Sequence, residues 1–205
     1  MTIKILKIIN KSMKSVKIVA IGDGSVGKTC LLVTYTKNQF PEEYVPTVYE
    51  NYSEMINIEN ETIRLEIWDT AGQEEYSNLR PASYPNTDVF LVCFSLISPD
   101  SLEDIERVWI PDVKQYCSTA SLILVGLKSD LRDNFDSQKD DNEGMNFRPI
   151  EKDEIDAVKN RIGATEYIEC SSLLKYNIKE VFETASKIAI HKTSGPLKPK
   201  NCYLI

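Results

Sequence analysis

At 205 residues, 42% hydrophobic and 27% charged, the chain has the size of one domain with tails and enough apolar content for a real core. A formal net charge of −7 argues against general nucleic-acid binding, which wants a basic face, and no apolar run reaches the length of a membrane span. The five cysteines, Cys30, Cys93, Cys117, Cys170 and Cys202, are odd in number and widely spaced, so neither a disulfide framework nor a zinc pattern emerges and a reducing, cytosolic setting is expected.

In chain order, residues 1–15 read as a basic N-terminal extension without the apolar core and small-residue cleavage site of a secretory signal. Lys4, Lys7, Lys11 and Lys14 fall on one helical face, with Ile5, Leu6, Ile9 and Met13 broadly opposite. A helix lying on an anionic membrane, a disordered arm and a lengthened first strand are the three open readings. The apolar run Val16–Ile21 predicts a strand, and it runs straight into Gly22-Asp23-Gly24-Ser25-Val26-Gly27-Lys28-Thr29. Two glycines five apart, then Lys and Thr, fit the phosphate-loop pattern, and the loop opens a helix over Lys28–Lys37. Backbone N–H groups of such a loop converge on phosphate oxygens, aided by the positive end of the helix dipole. Lys28 would reach the outer phosphates and the Thr29 hydroxyl would bind Mg²⁺. Cys30, beside the loop, is either a redox-sensitive thiol or a small buried residue.

Further strands are predicted over Tyr52–Ile58, Ile63–Trp68, Val89–Phe94, Leu122–Gly126 and Tyr167–Cys170, with helices over Ser101–Tyr116, Glu151–Ile162 and Ile178–His191. Only Glu59-Asn60-Glu61-Thr62 joins the second and third strands, so that pair is antiparallel, while the others are separated by helices and should be parallel. The expectation is an α/β fold: a six-stranded, mostly parallel sheet with one antiparallel edge strand and helices on both faces. Arg132–Phe147 is polar, mainly acidic and weakly patterned, an excursion on the surface; 193–205 reads as a flexible tail.

A phosphate loop alone does not separate ATPases, kinases and GTPases. Asp69-Thr-Ala-Gly72-Gln73 follows the third strand, where a carboxylate can hold Mg²⁺ through water and a glycine N–H can touch a terminal phosphate. Lys128-Ser-Asp130 follows the fifth; a carboxylate there can accept both N1–H and the 2-amino group of guanine, a pairing adenine does not offer. Ser171-Ser172-Leu173 follows the sixth, where backbone N–H groups can meet the guanine O6. All lie at the carboxyl ends of strands, where open α/β sheets bind ligands.

On these motifs the chain resembles a Ras-superfamily small GTPase with the P-loop NTPase G domain, and within it the Rho family, most like the Rac-like members. The resemblance runs from about Val16 to His191 and resumes at the last four residues, giving a G domain over 16–192. The excursion at about 131–148 falls where that family carries its insert helix, and Phe40-Pro-Glu-Glu-Tyr44-Val-Pro-Thr47-Val matches its first switch. Trp68 is like the Rac and Rho branches, as a partner-selecting residue or simply a core aromatic.

The resemblance implies a GTP/GDP switch that hydrolyses GTP with Mg²⁺. Gln73 would orient the attacking water, and Lys28 with Mg²⁺ would stabilise charge on the β- and γ-oxygens. Thr29 and Thr47 would supply metal hydroxyls, and the Thr47 and Gly72 backbones would meet the γ-phosphate. Gly24 would lie where a side chain collides with Gln73, Phe40 would pack on the guanine edge, and Cys30 and Tyr44 complete the expected nucleotide contacts. Gln39–Asn51 and Asp69–Pro85 should order with GTP, and Tyr44, Tyr49, Tyr52, Tyr76 and Tyr84 would be partner contacts, Tyr84 reading equally well as packing. Implied partners are exchange factors, GTPase-activating proteins, a GDP-dissociation inhibitor and effectors, with the protein a monomer. The last four residues, Cys202-Tyr-Leu-Ile205, have the C-a-a-X form, so prenylation of Cys202, geranylgeranyl before farnesyl, and a place on the cytoplasmic face of membranes with a soluble pool are expected.

Some residues depart from the pattern. Leu127 stands where the family has Asn or Thr before Lys-x-Asp, a polar residue tying the guanine loop to the phosphate loop. Losing one such bond costs about 0.5–1.5 kcal/mol, or roughly three- to tenfold in affinity, so faster GDP release is expected unless water or the loop compensates. Tyr49 and Glu50 replace Phe and Asp while keeping their character, and Ser172 replaces Ala where backbone donates. Leu127 leaves a rival reading open: a fast-exchanging, mostly GTP-loaded binding module with negligible hydrolysis. A P-loop kinase or ATPase fits poorly with Asp130.

Overall fold

The computed structural model describes residues 14–42, 49–135 and 147–193. Strand β1 (Ser15–Ile21) leads through the glycine loop into helix α1 (Lys28–Lys37), followed by β2 (Tyr49–Ile58) and β3 (Glu61–Thr70). Then come β4 (Val89–Ser95), α2 (Pro99–Asp104), α3 (Ile110–Tyr116), β5 (Ser121–Leu127), the short α4 (Ser129–Asp133), α5 (Lys152–Ile162), β6 (Glu166–Glu169) and α6 (Ile178–Thr193). The strands form one sheet in the order β2-β3-β1-β4-β5-β6, with only the β2–β3 pair antiparallel.

The central strands are buried on both faces, β4 along its whole length, which is why they read as continuous apolar runs. In β4, Val89, Leu91 and Cys93 face one layer with α1 and α6, while Phe90, Val92 and Phe94 face the other with α2, α3 and α5. Phe182 of α6 stacks on Tyr35 of α1 at 3.9 Å between ring centroids, joining the two helices that cover the first face. Helix α5 starts on a reciprocal capping box between Glu151 and Glu154 and stops at Gly163 in left-handed geometry, as its sequence dictates.

Three local expectations change. The link between β2 and β3 is a two-residue turn, Glu59-Asn60, with φ of 49° and 65°; Glu61 and Thr62 already belong to β3. Both residues in left-handed geometry match the primed turns that suit the twist of a hairpin. The single helix expected over Ser101–Tyr116 is three pieces, with a π-helical turn at Ile105–Trp109 between α2 and α3. Pro111 has no N–H and crowds the preceding turn, so the ladder widens there and Ile110 N–H donates to Ile105 O, five residues back. Short 3-10 turns at Glu74–Tyr76 and Arg80–Ser83, and α4, were not expected as elements. Most of the Arg132–Phe147 excursion lies outside the described residues, as do 1–13 and 194–205; the chain returns with Arg148 and Ile150 N–H groups bonded to Ile97 and Leu96 carbonyls. Among the described residues no helix is long and apolar enough to cross a membrane.

Phe182→Ala should lower the unfolding free energy by about 3–5 kcal/mol, because a fully buried ring is removed from a shared helix interface. Urea denaturation checks this; a loss below about 1 kcal/mol would mean that α1 and α6 close over the gap.

Candidate functional site

Four segments meet at the carboxyl end of the sheet, beside β1, where the chain switches from building toward β3 to building toward β4. The glycine loop is held from two sides by contacts that exclude any side chain. A Cβ on Gly22, whose φ is +137°, would stand 2.1 Å from the Cys93 carbonyl oxygen of β4. A Cβ on Gly72 would stand 2.3 Å from the Asp23 carbonyl carbon and 2.4 Å from the Gly24 nitrogen. The segment after β3 therefore lies directly on the phosphate loop, backbone against backbone. Thr70 Oγ1, donating to Ala20 O at 2.7 Å, fixes the approach.

Gly27 caps α1 in left-handed geometry, so the first free N–H groups of that helix open into a cleft of about 290 Å³ lined by Gly24, Ser25, Gly27, Lys28, Thr29, Cys30, Gly72, Gln73 and Lys128. Lys28 is buried, and its ammonium donates to Gly22 O at 2.6 Å and Asp23 O at 2.7 Å; burial pushes its pKa down while the nearby Asp69 opposes that. Thr29 Oγ1 donates to Asp69 Oδ2 at 2.6 Å, and Asp69 is fully buried. Gln73 packs on Gly24 with room to spare: a Cβ there would meet Gln73 Cγ at 3.6 Å, ordinary contact, so the collision expected at Gly24 begins only beyond a methyl group.

A second cavity of about 230 Å³ shares Gly27, Cys30 and Lys128 with the first and continues along Phe40, Leu127, Asp130, Leu131, Ser172 and Leu173. Asp130 Oδ1 accepts from Ser171 Oγ at 2.5 Å, and the same hydroxyl oxygen accepts from Leu174 N–H at 3.1 Å, so the loops after β5 and β6 are one unit. Lys128 adopts φ +62° and donates from Nζ to Ser25 O at 2.7 Å, tying the Lys-x-Asp loop to the phosphate loop. Leu127 is buried, and its Cδ1 would stand 3.7 Å from a methyl on Gly27. Val26 turns into the core instead of the cleft.

Of the residues singled out in the sequence, Tyr44 and Thr47 lie outside the described residues, as does Cys202. Tyr84 is a core residue, not an exposed contact: it is fully buried, its hydroxyl donates to Asp112 Oδ2 at 2.7 Å, and its ring meets Phe90 edge-on. Trp68 is half-buried with the Lys17 ammonium 4.4 Å from its ring centroid. Cys30 is a free, half-buried thiol whose pKa is raised by burial, with Lys128 opposing.

Sequence reasoning missed a bracket under the loop. Trp109, on the π turn, donates Nε1–H to Asp23 Oδ1 at 2.7 Å, and the Arg80 guanidinium lies 4.3 Å from the Trp109 ring centroid. The one signal was Pro111, which announces a break in the helix that carries Trp109.

A glycine-tight phosphate loop joined to a cavity that ends in a carboxylate, on this sheet order, defines a small G domain. The Ras family model matches residues 17–191. Rho-related GTP-binding protein RhoB from Homo sapiens, Mus musculus and Rattus norvegicus is in each case 48% identical over 179 residues, spanning 87% of this chain and 91% of the relative. The chain belongs to the Rho family of Ras-type small GTPases, which bind GTP and GDP and hydrolyse GTP. These relatives do not single out the Rac-like members.

Burial, with Asp104 nearby, pushes the Asp23 carboxyl up to about 6, against the Trp109 hydrogen bond that pulls it down. A folded-state value above the unfolded value of about 4 means that the native state holds the proton more tightly. Stability from this group is full below about pH 4 and is lost as pH rises through about 6. Asp23→Asn keeps an acceptor for Trp109 and removes the titration, so its stability relative to the parent should climb between about pH 4 and 6.5 and then level off. Urea denaturation of nucleotide-free protein checks this; a difference independent of pH would show that Asp23 titrates normally.

Proposed function

We propose that the joined cavities hold the nucleotide with its phosphates against Gly22–Thr29 and its base between Phe40, Lys128 and Leu173, read by Asp130. The observation that carries this reading is that the two cavities share Gly27, Cys30 and Lys128, the first lying at the helix N-terminus and the second reaching the buried carboxylate. Ser171 holds that carboxylate in place, so Asp130 is positioned for N1–H and the 2-amino group of guanine before the base arrives.

Thr29 and Asp69 supply a hydroxyl and a fully buried carboxylate 2.6 Å apart at the mouth of an anion-binding loop. That all-oxygen donor set fits Mg²⁺, which Thr29 and Asp69, joined by Thr47, would hold. When bound, the ion neutralises charge on the β- and γ-phosphate oxygens. Lys28 places a second positive charge beside the same oxygens, and its loop-carbonyl bonds hold it on the cleft floor. Gln73, lining the cleft beside Gly24 and Gly72, orients the attacking water, and the Gly72 N–H meets the terminal phosphate. Among the described residues no arginine lines either cavity; Arg80 is committed to Trp109. Turnover is therefore slow by itself, and an activating protein that inserts an arginine would accelerate it by about 10³–10⁵.

Loss of γ-phosphate contacts at Thr47 and Gly72 after hydrolysis releases both switches, which is how exchange factors, activating proteins, a GDP-dissociation inhibitor and effectors distinguish the two states. Prenylation of Cys202, helped by the basic extension, brings the protein to the cytoplasmic face of membranes, where it signals to the actin cytoskeleton. The rival reading, a fast-exchanging and mostly GTP-loaded module, draws on Leu127, which packs on Gly27 without forming a hydrogen bond through its side chain.

Two measurements separate these readings. In a single turnover the protein should release phosphate slowly, and Gln73→Leu should reduce that rate by ~10-fold or more; absence of phosphate release even with an activating protein would leave only the binding module. GDP should leave Leu127→Asn roughly three- to tenfold more slowly than the parent in Mg²⁺. Equal, slow release would show that the Lys128–Ser25 tie already suffices.

A further inference from the structure

We propose that Leu127 leaves the base pocket blind to position 7 of the purine, so that the site accepts guanine nucleotides carrying carbon at that position at least as well as GDP. This rests on the base placement proposed above and adds a specificity to it. A guanine nucleotide joins its base to the ribose through N9, so the five-membered ring lies nearest the phosphates and the N1 and 2-amino edge lies farthest away. The pocket has the same polarity. Its near wall is Gly27, Cys30 and Leu127, with Leu127 Cδ1 placed 3.7 Å from where a Gly27 methyl would be. Its far end is Asp130, locked to Ser171 and flanked by Ser172 and Leu173.

With Asp130 on the N1 edge, N7 therefore faces the near wall. N7 only accepts hydrogen bonds, and an acceptor taken out of water without a donor is penalised. The strong side-chain donor on that wall is the Lys128 ammonium, and it is turned toward the phosphate loop, where it donates to Ser25 O at 2.7 Å. The Cys30 thiol donates weakly. Leu127 presents methyl groups alone, and it is buried in the same core cluster as Val26, Cys93 and Cys170. Exchanging N7 for C–H removes an unmatched lone pair and leaves every contact at Asp130 intact.

The test is competition against a fluorescent GDP on the full-length protein in Mg²⁺, using GDP, 7-deaza-GDP and ADP. The parent should bind 7-deaza-GDP as tightly as GDP or up to about tenfold more tightly, and Leu127→Asn, which restores a donor, should reverse the order by several-fold. A parent preference for GDP over 7-deaza-GDP of more than about twofold would overturn the proposal, because N7 then has a donor. ADP binding as well as GDP would instead overturn the base placement itself, so the two failures are distinct. The parent ratio needs no variant, and Leu127→Thr gives a second donor-bearing replacement should Leu127→Asn fold poorly.

Discussion

Everything at this site depends on backbone lying against backbone where strand ends crowd together. The phosphate loop is wedged between the Cys93 carbonyl and the chain after β3, at distances that leave no space for a Cβ on Gly22 or Gly72. The consequence is mechanical. A change in the segment holding Gly72 and Gln73 is felt by the glycine loop, and conversely, because nothing compressible separates them. The parallel sheet supplies the convergence: β1, β3 and β4 are adjacent, so loops that are remote in sequence leave the sheet side by side.

The loop is also held from below. Asp23 accepts from Trp109, and Trp109 in turn carries Arg80 on its face. Arg80 sits in the second of the two 3-10 turns after Gln73, so the bracket links the segment that follows β3 to the phosphate loop by a route separate from the Gly72 contact. A π turn costs hydrogen-bond geometry, and such turns recur at functional sites because they re-aim a side chain. Here the re-aimed side chain is Trp109.

At the second cavity, a lysine ammonium performs the loop-to-loop bonding while the neighbouring leucine fills space. Lys128 adopts a left-handed conformation that few non-glycine residues take, held by the start of α4 and by its bond to Ser25. The polar tie and the apolar wall are thus divided between two adjacent residues.

Much of this was legible from residue order. The buried strands declare themselves as apolar runs, and the glycine loop, Asp69-Thr-Ala-Gly72-Gln73 and Lys128-Ser-Asp130 each carry their chemistry at a strand end, because local backbone geometry and donor type are properties of a few consecutive residues. What lies across the fold was not legible. That Tyr84 is core follows from its meeting Asp112 and Phe90, and no local pattern announces either contact. The Asp23–Trp109–Arg80 bracket joins residues 86 positions apart in sequence at its first bond, through a helix whose register shifts at a proline. The sequence by itself determined the sheet, the ligand class and the chemical groups available; the tertiary structure alone decided which of them touch, because contact between strand ends depends on packing distances of a few ångströms that only the assembled sheet sets.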